Sequence, residues 1–172
     1  MEHRVFGYGS LLSHNSLSKT IPDRPLTPAI IKGFKRVFNL HIKDQSSPDV
    51  LNLEKNPDSI CNGVFFSVNE TELTKIKERE DDYNLEQTDA YDFLTGAKIG
   101  PCFVTIDYLV NLDPGRHLPD KHYFILCREA AYHLSRPFGE YWDKTTYLSD
   151  GELVADWLPT HPAYNTLANS SS

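Results

Sequence analysis

Two places in the chain combine residue types and spacing suited to chemistry: the run Gly7-Tyr8-Gly9-Ser10-Leu11 and the carboxylate of Glu80. Glycines on both sides of Tyr8 free the backbone for positive φ, and they let a ligand approach main-chain N–H groups with no Cβ in the way. A strand that breaks into a turn and then a helix aims successive amides at one point, which suits an anion or a developing oxyanion. The run has neither the Gly-Lys-Ser/Thr ending of a P-loop nor the third glycine of the dinucleotide fingerprint. Taken alone, it also fits an ordinary strand-ending turn with a tyrosine packed beneath.

Glu80 draws attention through helix phase. Leu73 and Ile76 stand three apart and Glu80 follows four later, so the three share one helical face. At about 100° per residue, Glu78 is turned roughly 200° away from Glu80, and only one of the two can face a core. An inward carboxyl has its charged form penalised, which raises its pKa toward the range of a general acid and base. The competing reading is a helix that ends before Glu80, leaving the carboxylate to reach water or to pair with Arg79 or Lys77. Tyr83, three residues further on, and Tyr147 are aromatic candidates for walling a substrate site; Trp142 reads as core.

Nothing else has the pattern of a reaction centre. Cys61, Cys102 and Cys127 are an odd number at wide spacing with no paired ligand motif, and they read as buried, reduced thiols. His117, His122, His133 and His161 include no metal-binding His-x-x-x-His helix spacing. No metal or cofactor is therefore expected. A net charge of -7 without a long basic run weighs against nucleic acid or an anionic membrane as partner. The absence of a leader-like or long apolar segment points to a cytoplasmic protein.

The elements that must position these residues follow from pattern. Residues 4–8 read as a strand and 11–17 as a short helix. Residues 30–42, interrupted by Gly33, read as a bent strand or hairpin arm, and 43–49 as a loop. Residues 50–53 and 63–68 read as neighbouring strands, separated by the turn-forming Asn56-Pro57-Asp58-Ser59. Asn69 with Glu70 and Glu72 starts a helix running to about Glu80. Strands are expected at 85–93 and 103–110, and a turn at Asp113-Pro114-Gly115. A helix then runs from about Lys121 to Leu134, Pro137-Phe138-Gly139 breaks it, and a shorter helix leads through Trp142. The class is α+β, with a mixed, mostly antiparallel β-sheet or small barrel flanked by helices, in one domain over 1–160. Residues 161–172, ending Asn-Ser-Ser-Ser, are expected to be a flexible tail.

Taken together, the two candidate sites resemble the γ-glutamylcyclotransferase-like superfamily, which includes glutathione-specific and γ-glutamylamine cyclotransferases. The resemblance rests on Val5-Phe6-Gly7-Tyr8-Gly9-Ser10-Leu11, on Cys61-Asn62-Gly63-Val64-Phe65-Phe66-Ser67-Val68, and on Arg79-Glu80 followed by Tyr83. It covers roughly residues 4–93, with weaker similarity over 141–151. It implies that Tyr8, Gly9, Ser10 and Leu11 contact a small-molecule γ-glutamyl substrate and that Glu80 is the catalytic acid and base. Asp81-Asp82 departs from the family's frequent glycine after that glutamate, which leaves the substrate open more than the reaction.

The reaction so implied is attack of the γ-glutamyl α-amine on its own γ-carbonyl, giving 5-oxoproline and a free amine, amino acid or peptide. A non-catalytic γ-glutamyl-binding module, or a γ-glutamyl hydrolase or transferase, remains open at this point. The leaving amine and the oligomeric state are not legible; loops such as 43–49 and 96–101 are where selectivity would lie.

Overall fold

The computed structural model describes residues 1–41, 49–80, 83–107 and 118–169. Strand β1 (Glu2–Gly7) leads through a 3-10 turn (Ser10–Leu12) and a one-turn helix α1 (His14–Leu17) to β2 (Thr27–His41). β3 (Asp49–Asn69), α2 (Glu70–Arg79), β4 (Asn84–Asp92) and β5 (Lys98–Ile106) follow. The second half contains α3 (Lys121–Leu134), α4 (Arg136–Thr145), the short β6 (Thr146–Leu148) and α5 (Val154–Trp157), then three 3-10 turns.

The sheet order is β3-β1-β5-β4-β2-β6, and β3 also pairs with β2. Five strands therefore close in a ring, β1-β5-β4-β2-β3, with β6 added beside the far half of β2. All pairings are antiparallel except β1 with β5 and β2 with β6. Closure gives each ring strand two partners, which removes the open edges that invite aggregation. The architecture is the α+β class expected, with a mixed, mostly antiparallel sheet curled into a small barrel and flanked by helices.

One departure is the strand pair expected at 50–53 and 63–68, which is a single 21-residue strand. Its register against β2 moves from Lys32 opposite Ile60 to Phe34 opposite Lys55, so residues 56–59 face Gly33 alone. The turn chemistry read from Asn56-Pro57-Asp58-Ser59 is used in a bulge, where the Asp58 amide donates to Asn56 Oδ1 at 3.1 Å. Gly33, at φ +85°, supplies the conformation on the opposing strand.

A second departure concerns Pro137-Phe138-Gly139, which does not break a helix but lies in the first turn of α4. The break is Ser135, whose hydroxyl accepts from the Phe138 amide. A proline in the first turn sacrifices no helical hydrogen bond. Residues 96–101 are absorbed by the β4–β5 turn, with Gly96 at φ +73°, and by the start of β5. Of the loop expected at 43–49, Asp49 instead opens β3; residues 43–48, Asp81-Asp82 and the turn Asp113-Pro114-Gly115 lie outside the described residues.

The core fills the barrel and the space under α3 and α4. Phe38 stands 5.5 Å from Phe124, which in turn lies 5.7 Å from both Trp142 and Trp157. All three cysteines are buried free thiols. No helix among the described residues is long and apolar enough to cross a membrane.

The segment after Pro159, expected to be flexible, is docked as far as it is described. The Tyr164 ring lies 4.8 Å from Trp157 and 5.3 Å from Phe124, and its hydroxyl donates to the Pro119 carbonyl at 2.9 Å. Asn165 Oδ1 accepts from Arg128, and the Thr166 hydroxyl donates to Glu129. One aromatic anchor outweighs the polar ending that drew the flexible reading. Tyr164→Ala is expected to lower unfolding free energy by about 2 kcal/mol. Urea denaturation checks this, and an unchanged midpoint would show that the docked segment adds no stability.

Candidate active site

The turn after β1 is held from below by its tyrosine. Tyr8 is 5% exposed, and its hydroxyl donates to the Thr105 carbonyl of β5 at 2.7 Å. The Tyr8 carbonyl accepts from Arg36 Nη1 at 3.4 Å. Neither Gly7 nor Gly9 takes the positive φ expected from the sequence; the positive-φ glycines among the described residues are Gly33, Gly96, Gly100 and Gly151. Close approach is what requires them. A Cβ on Gly7 would come within 2.6 Å of Leu11 Cβ, and one on Gly9 within 2.8 Å of the Tyr123 hydroxyl.

Beyond Gly9 the chain enters its 3-10 turn, in which the Leu12 amide donates to Gly9 O and the Ser13 amide to Ser10 O. The amides of Gly9, Ser10 and Leu11 have no acceptor among the described residues. Gly9 and Leu11 are buried. Unpaired N–H groups in a buried turn are a site for an anionic or carbonyl oxygen.

Helix α2 brings the carboxylate. Asn69 and Glu72 form a reciprocal capping box at its start, and Leu73 and Ile76 bury its inner face. The helix ends at Arg79, one residue earlier than expected, and Glu80 is its cap at φ -100°, ψ 47°. Its amide still donates to Ile76 O at 3.0 Å, which keeps the side chain in helical phase. Glu78 is exposed, whereas the Glu80 side chain is 16% exposed. Burial pushes the Glu80 carboxyl above its ordinary value, opposed by the nearby Arg79 cation. Arg79 Nε lies 3.8 Å from Glu80 Oε1.

Arg79 also ties the two halves together. Its guanidinium donates to Ser10 Oγ at 2.9 Å, Ser16 O at 2.8 Å, Ser16 Oγ at 2.6 Å and Thr20 Oγ1 at 3.1 Å. The helix end bearing Glu80 is thereby fastened to the turn.

Of the aromatic candidates, Tyr83 is near. Its amide donates to Glu80 O at 2.9 Å and its hydroxyl to Leu51 O at 2.7 Å. Tyr147 is elsewhere: Thr146 turns its hydroxyl toward Arg36, and Tyr147, on the opposite face of β6, lies under Lys35 Nζ at 4.2 Å. Among the described residues, no hydrogen bond or ring contact links it to Glu80 or the turn.

Tyr123 of α3 was missed. The Asp120 side chain accepts from its amide at 2.8 Å and fixes its place in the first helical turn. Burial pushes the phenols of Tyr8 and Tyr123 well above their ordinary range, with Tyr83 and Glu80 adding to the effect in both. The phenols are thus hydrogen-bond donors rather than bases. The only signal for Tyr123 was its place in a helical pattern; its approach to Gly9, more than a hundred residues away, left no local mark.

The group comprises amides with no acceptor among the described residues, a largely buried carboxylate and neutral phenolic donors. No group of three His, Cys, Asp or Glu side chains among the described residues could hold a metal ion.

Residues 3–129 match the family model described as ChaC-like protein. No curated protein matches. Solved structures with a similar fold include a "Gamma-glutamyl cyclotransferase", 16% identical, with a TM-score of 0.71 over 93% of this chain and 99% of that one. An uncharacterized protein from Homo sapiens is 17% identical, with a TM-score of 0.70 over 92% and 98%. YkqA from Bacillus subtilis is 19% identical, with a TM-score of 0.66 over 81% of this chain and 52% of its own. At these identities the likeness is one of fold.

Gly9→Ala places a methyl group against the Tyr123 hydroxyl and is expected to destabilise the protein by about 1 to 3 kcal/mol. Tyr123→Phe in the same background removes the clashing oxygen and should recover part of the loss. Denaturation of the single and double variants tests this contact, and strictly additive effects would refute it.

Proposed function

Because the chain belongs to the ChaC-like family, within the γ-glutamylcyclotransferase-like superfamily, we propose that it cleaves a γ-glutamyl amide by intramolecular cyclotransfer. The observation that carries the reading is the largely buried Glu80 carboxylate, on a helix end that Arg79 fastens to a turn whose amides at Gly9, Ser10 and Leu11 have no acceptor among the described residues.

In this reaction the α-amine of the glutamyl group attacks its own γ-carbonyl. A C–N bond closes the five-membered ring, the original amide C–N bond breaks, and 5-oxoproline leaves with a free amine. Nucleophile and electrophile belong to one molecule, so folding the glutamyl chain into the reactive shape supplies much of the rate. Well-oriented intramolecular reactions gain about 7 to 11 kcal/mol from positioning.

The protein's tasks are holding and proton transfer. The Gly9–Leu11 amides hold the glutamyl head and receive the negative charge that develops on the carbonyl oxygen, an effect worth about 3 kcal/mol per donor. The Tyr123 phenol, protonated and adjacent to Gly9, is a further donor at the same edge. Glu80 as carboxylate removes the proton that the α-ammonium must lose and returns it to the departing nitrogen. Its raised pKa makes it a better base than an ordinary surface glutamate.

Glu80→Gln is expected to fold and to lose about 10²- to 10⁴-fold in 5-oxoproline release from γ-glutamyl amides. Undiminished turnover would overturn the assignment; glutamate in place of 5-oxoproline as product would make the enzyme a hydrolase. Since the folded-state pKa of Glu80 is raised, its ionisation opposes folding as pH rises through that value. The Gln variant should therefore melt at or above the parent temperature at neutral pH. In the parent, kcat/KM should fall on the acid side through a pKa above the ordinary 4.5 of glutamate.

A further inference from the structure

Arg79 stands between the two halves of the site and is engaged in an unusual way. Its four hydrogen-bond acceptors, on Ser10, Ser16 and Thr20, are all neutral, so none compensates its charge. The carboxylate within ion-pair range among the described residues is Glu80, at 3.8 Å and beyond hydrogen-bond distance. Its side chain is 18% exposed. A guanidinium saturated by neutral groups on one side and presented to a carboxylate on the other does two separable things.

We propose that Arg79 is the positioning residue of the site: it anchors Ser10 and α1 to the helix end that carries Glu80, and its charge holds the Glu80 carboxyl ionised for use as a base. This rests on the cyclotransfer reading for the role of Glu80.

The anchoring follows from donor geometry. Ser10 Oγ accepts from Arg79 Nη2 at 2.9 Å, so the hydroxyl hydrogen of Ser10 is free to donate to substrate. The same terminal nitrogen holds Ser16 Oγ, and the other holds Ser16 O and Thr20 Oγ1, which fixes α1 behind the turn. A lysine carries the charge but lacks the planar fork that spans these four acceptors.

The electrostatic part follows from what else faces Glu80. Among the described residues, the β1 turn contributes Tyr8 and α3 contributes Tyr123 and Cys127. Burial raises Tyr8 and Tyr123, and it pushes the Cys127 thiol up to about 12. None of these carries a positive charge. Arg79 is therefore the cation that opposes the effect of burial on Glu80.

The test uses Arg79→Gln and Arg79→Lys in the full chain. It reads the Glu80 titration by carboxyl-13C NMR, with the resonance assigned by its loss in Glu80→Gln, alongside pH profiles of kcat and KM. Removing an opposite charge at this range raises a carboxyl pKa by about one unit or more. Arg79→Gln should shift the Glu80 titration and the acid limb of kcat/KM upward together by that amount, while kcat at alkaline pH recovers to within several-fold of the parent. Arg79→Lys should keep the titration within a few tenths of a unit of the parent but raise KM about tenfold.

A Glu80 titration unchanged in Arg79→Gln overturns the electrostatic role, and a parental KM in Arg79→Lys overturns the anchoring. If Arg79→Gln does not fold, Arg79→Lys still decides: a titration displaced by a unit, or an unchanged KM, sinks the proposal. Failure of the parent chain to make 5-oxoproline from any γ-glutamyl amide would overturn the cyclotransfer reading instead, and the NMR titration would still judge Arg79.

Discussion

A charge buried in the middle of the molecule holds the architecture together. Arg36 of β2 is fully buried, and no carboxylate among the described residues lies within ion-pair distance of it. Its guanidinium is satisfied by neutral groups from the turn after β1, from β3 and from the α4–β6 segment. Nε donates to Thr146 Oγ1 at 2.7 Å, Nη1 to Asn62 O at 2.5 Å and to Tyr8 O, and Nη2 to Asn62 Oδ1 at 2.7 Å and Thr145 Oγ1 at 3.0 Å. The Trp142 ring lies 5.2 Å from its centre. Desolvation of an ion in a protein interior costs several kcal/mol, and it is tolerated only where the remaining donors are satisfied. Burial lowers the Arg36 pKa, but an arginine starts so high that it remains charged. Losing any one acceptor would leave a charged donor unsolvated, so the Tyr8 turn, β3, α4 and β6 are locked into a common arrangement.

The site uses charge differently from the core. One carboxylate and one guanidinium stand near each other without a direct hydrogen bond, among phenols and a thiol kept neutral by burial. In a poorly solvated setting each charge acts strongly on the other. A direct Arg79–Glu80 salt bridge would occupy the carboxylate and depress its basicity; at 3.8 Å the cation moderates the effect of burial while leaving the Glu80 oxygens available.

Much of this was legible in local pattern. Local strand and turn patterns marked most of the strands, and the Asn69 cap with its acids marked α2. The three-four spacing of Leu73, Ile76 and Glu80 distinguished the inward carboxylate from Glu78 even though the helix stops at Arg79. What was missed was long-range or reused. The turn residues 56–59 have the chemistry of a chain reversal, but the pairing of β2 on both sides of them carries the strand through as a bulge. Gly7 and Gly9 were read for conformational freedom, whereas Leu11 and Tyr123 require their missing side chains. Tyr147 was placed near the site by its type, and strand alternation turns it to the other face. Tyr164 sits in a segment whose polar ending hid a core aromatic.

The ring closure of the sheet also orders events during synthesis. β1 and the turn that follows it are made before the strands that flank β1, β3 on one side and β5 on the other. Tyr8 is anchored on Thr105, and the Arg36 contacts that fix its carbonyl's surroundings wait for residues 142–146. The turn therefore emerges before its partners and stays unlocked until residues 142–146 are available, because such distant pairings require the intervening loop entropy to be lost first. A nascent chain that has emerged only as far as β5 holds the whole Gly7–Leu11 run without the Arg36 contacts at residues 142–146, so the turn takes its locked shape only once α4 and β6 have been made.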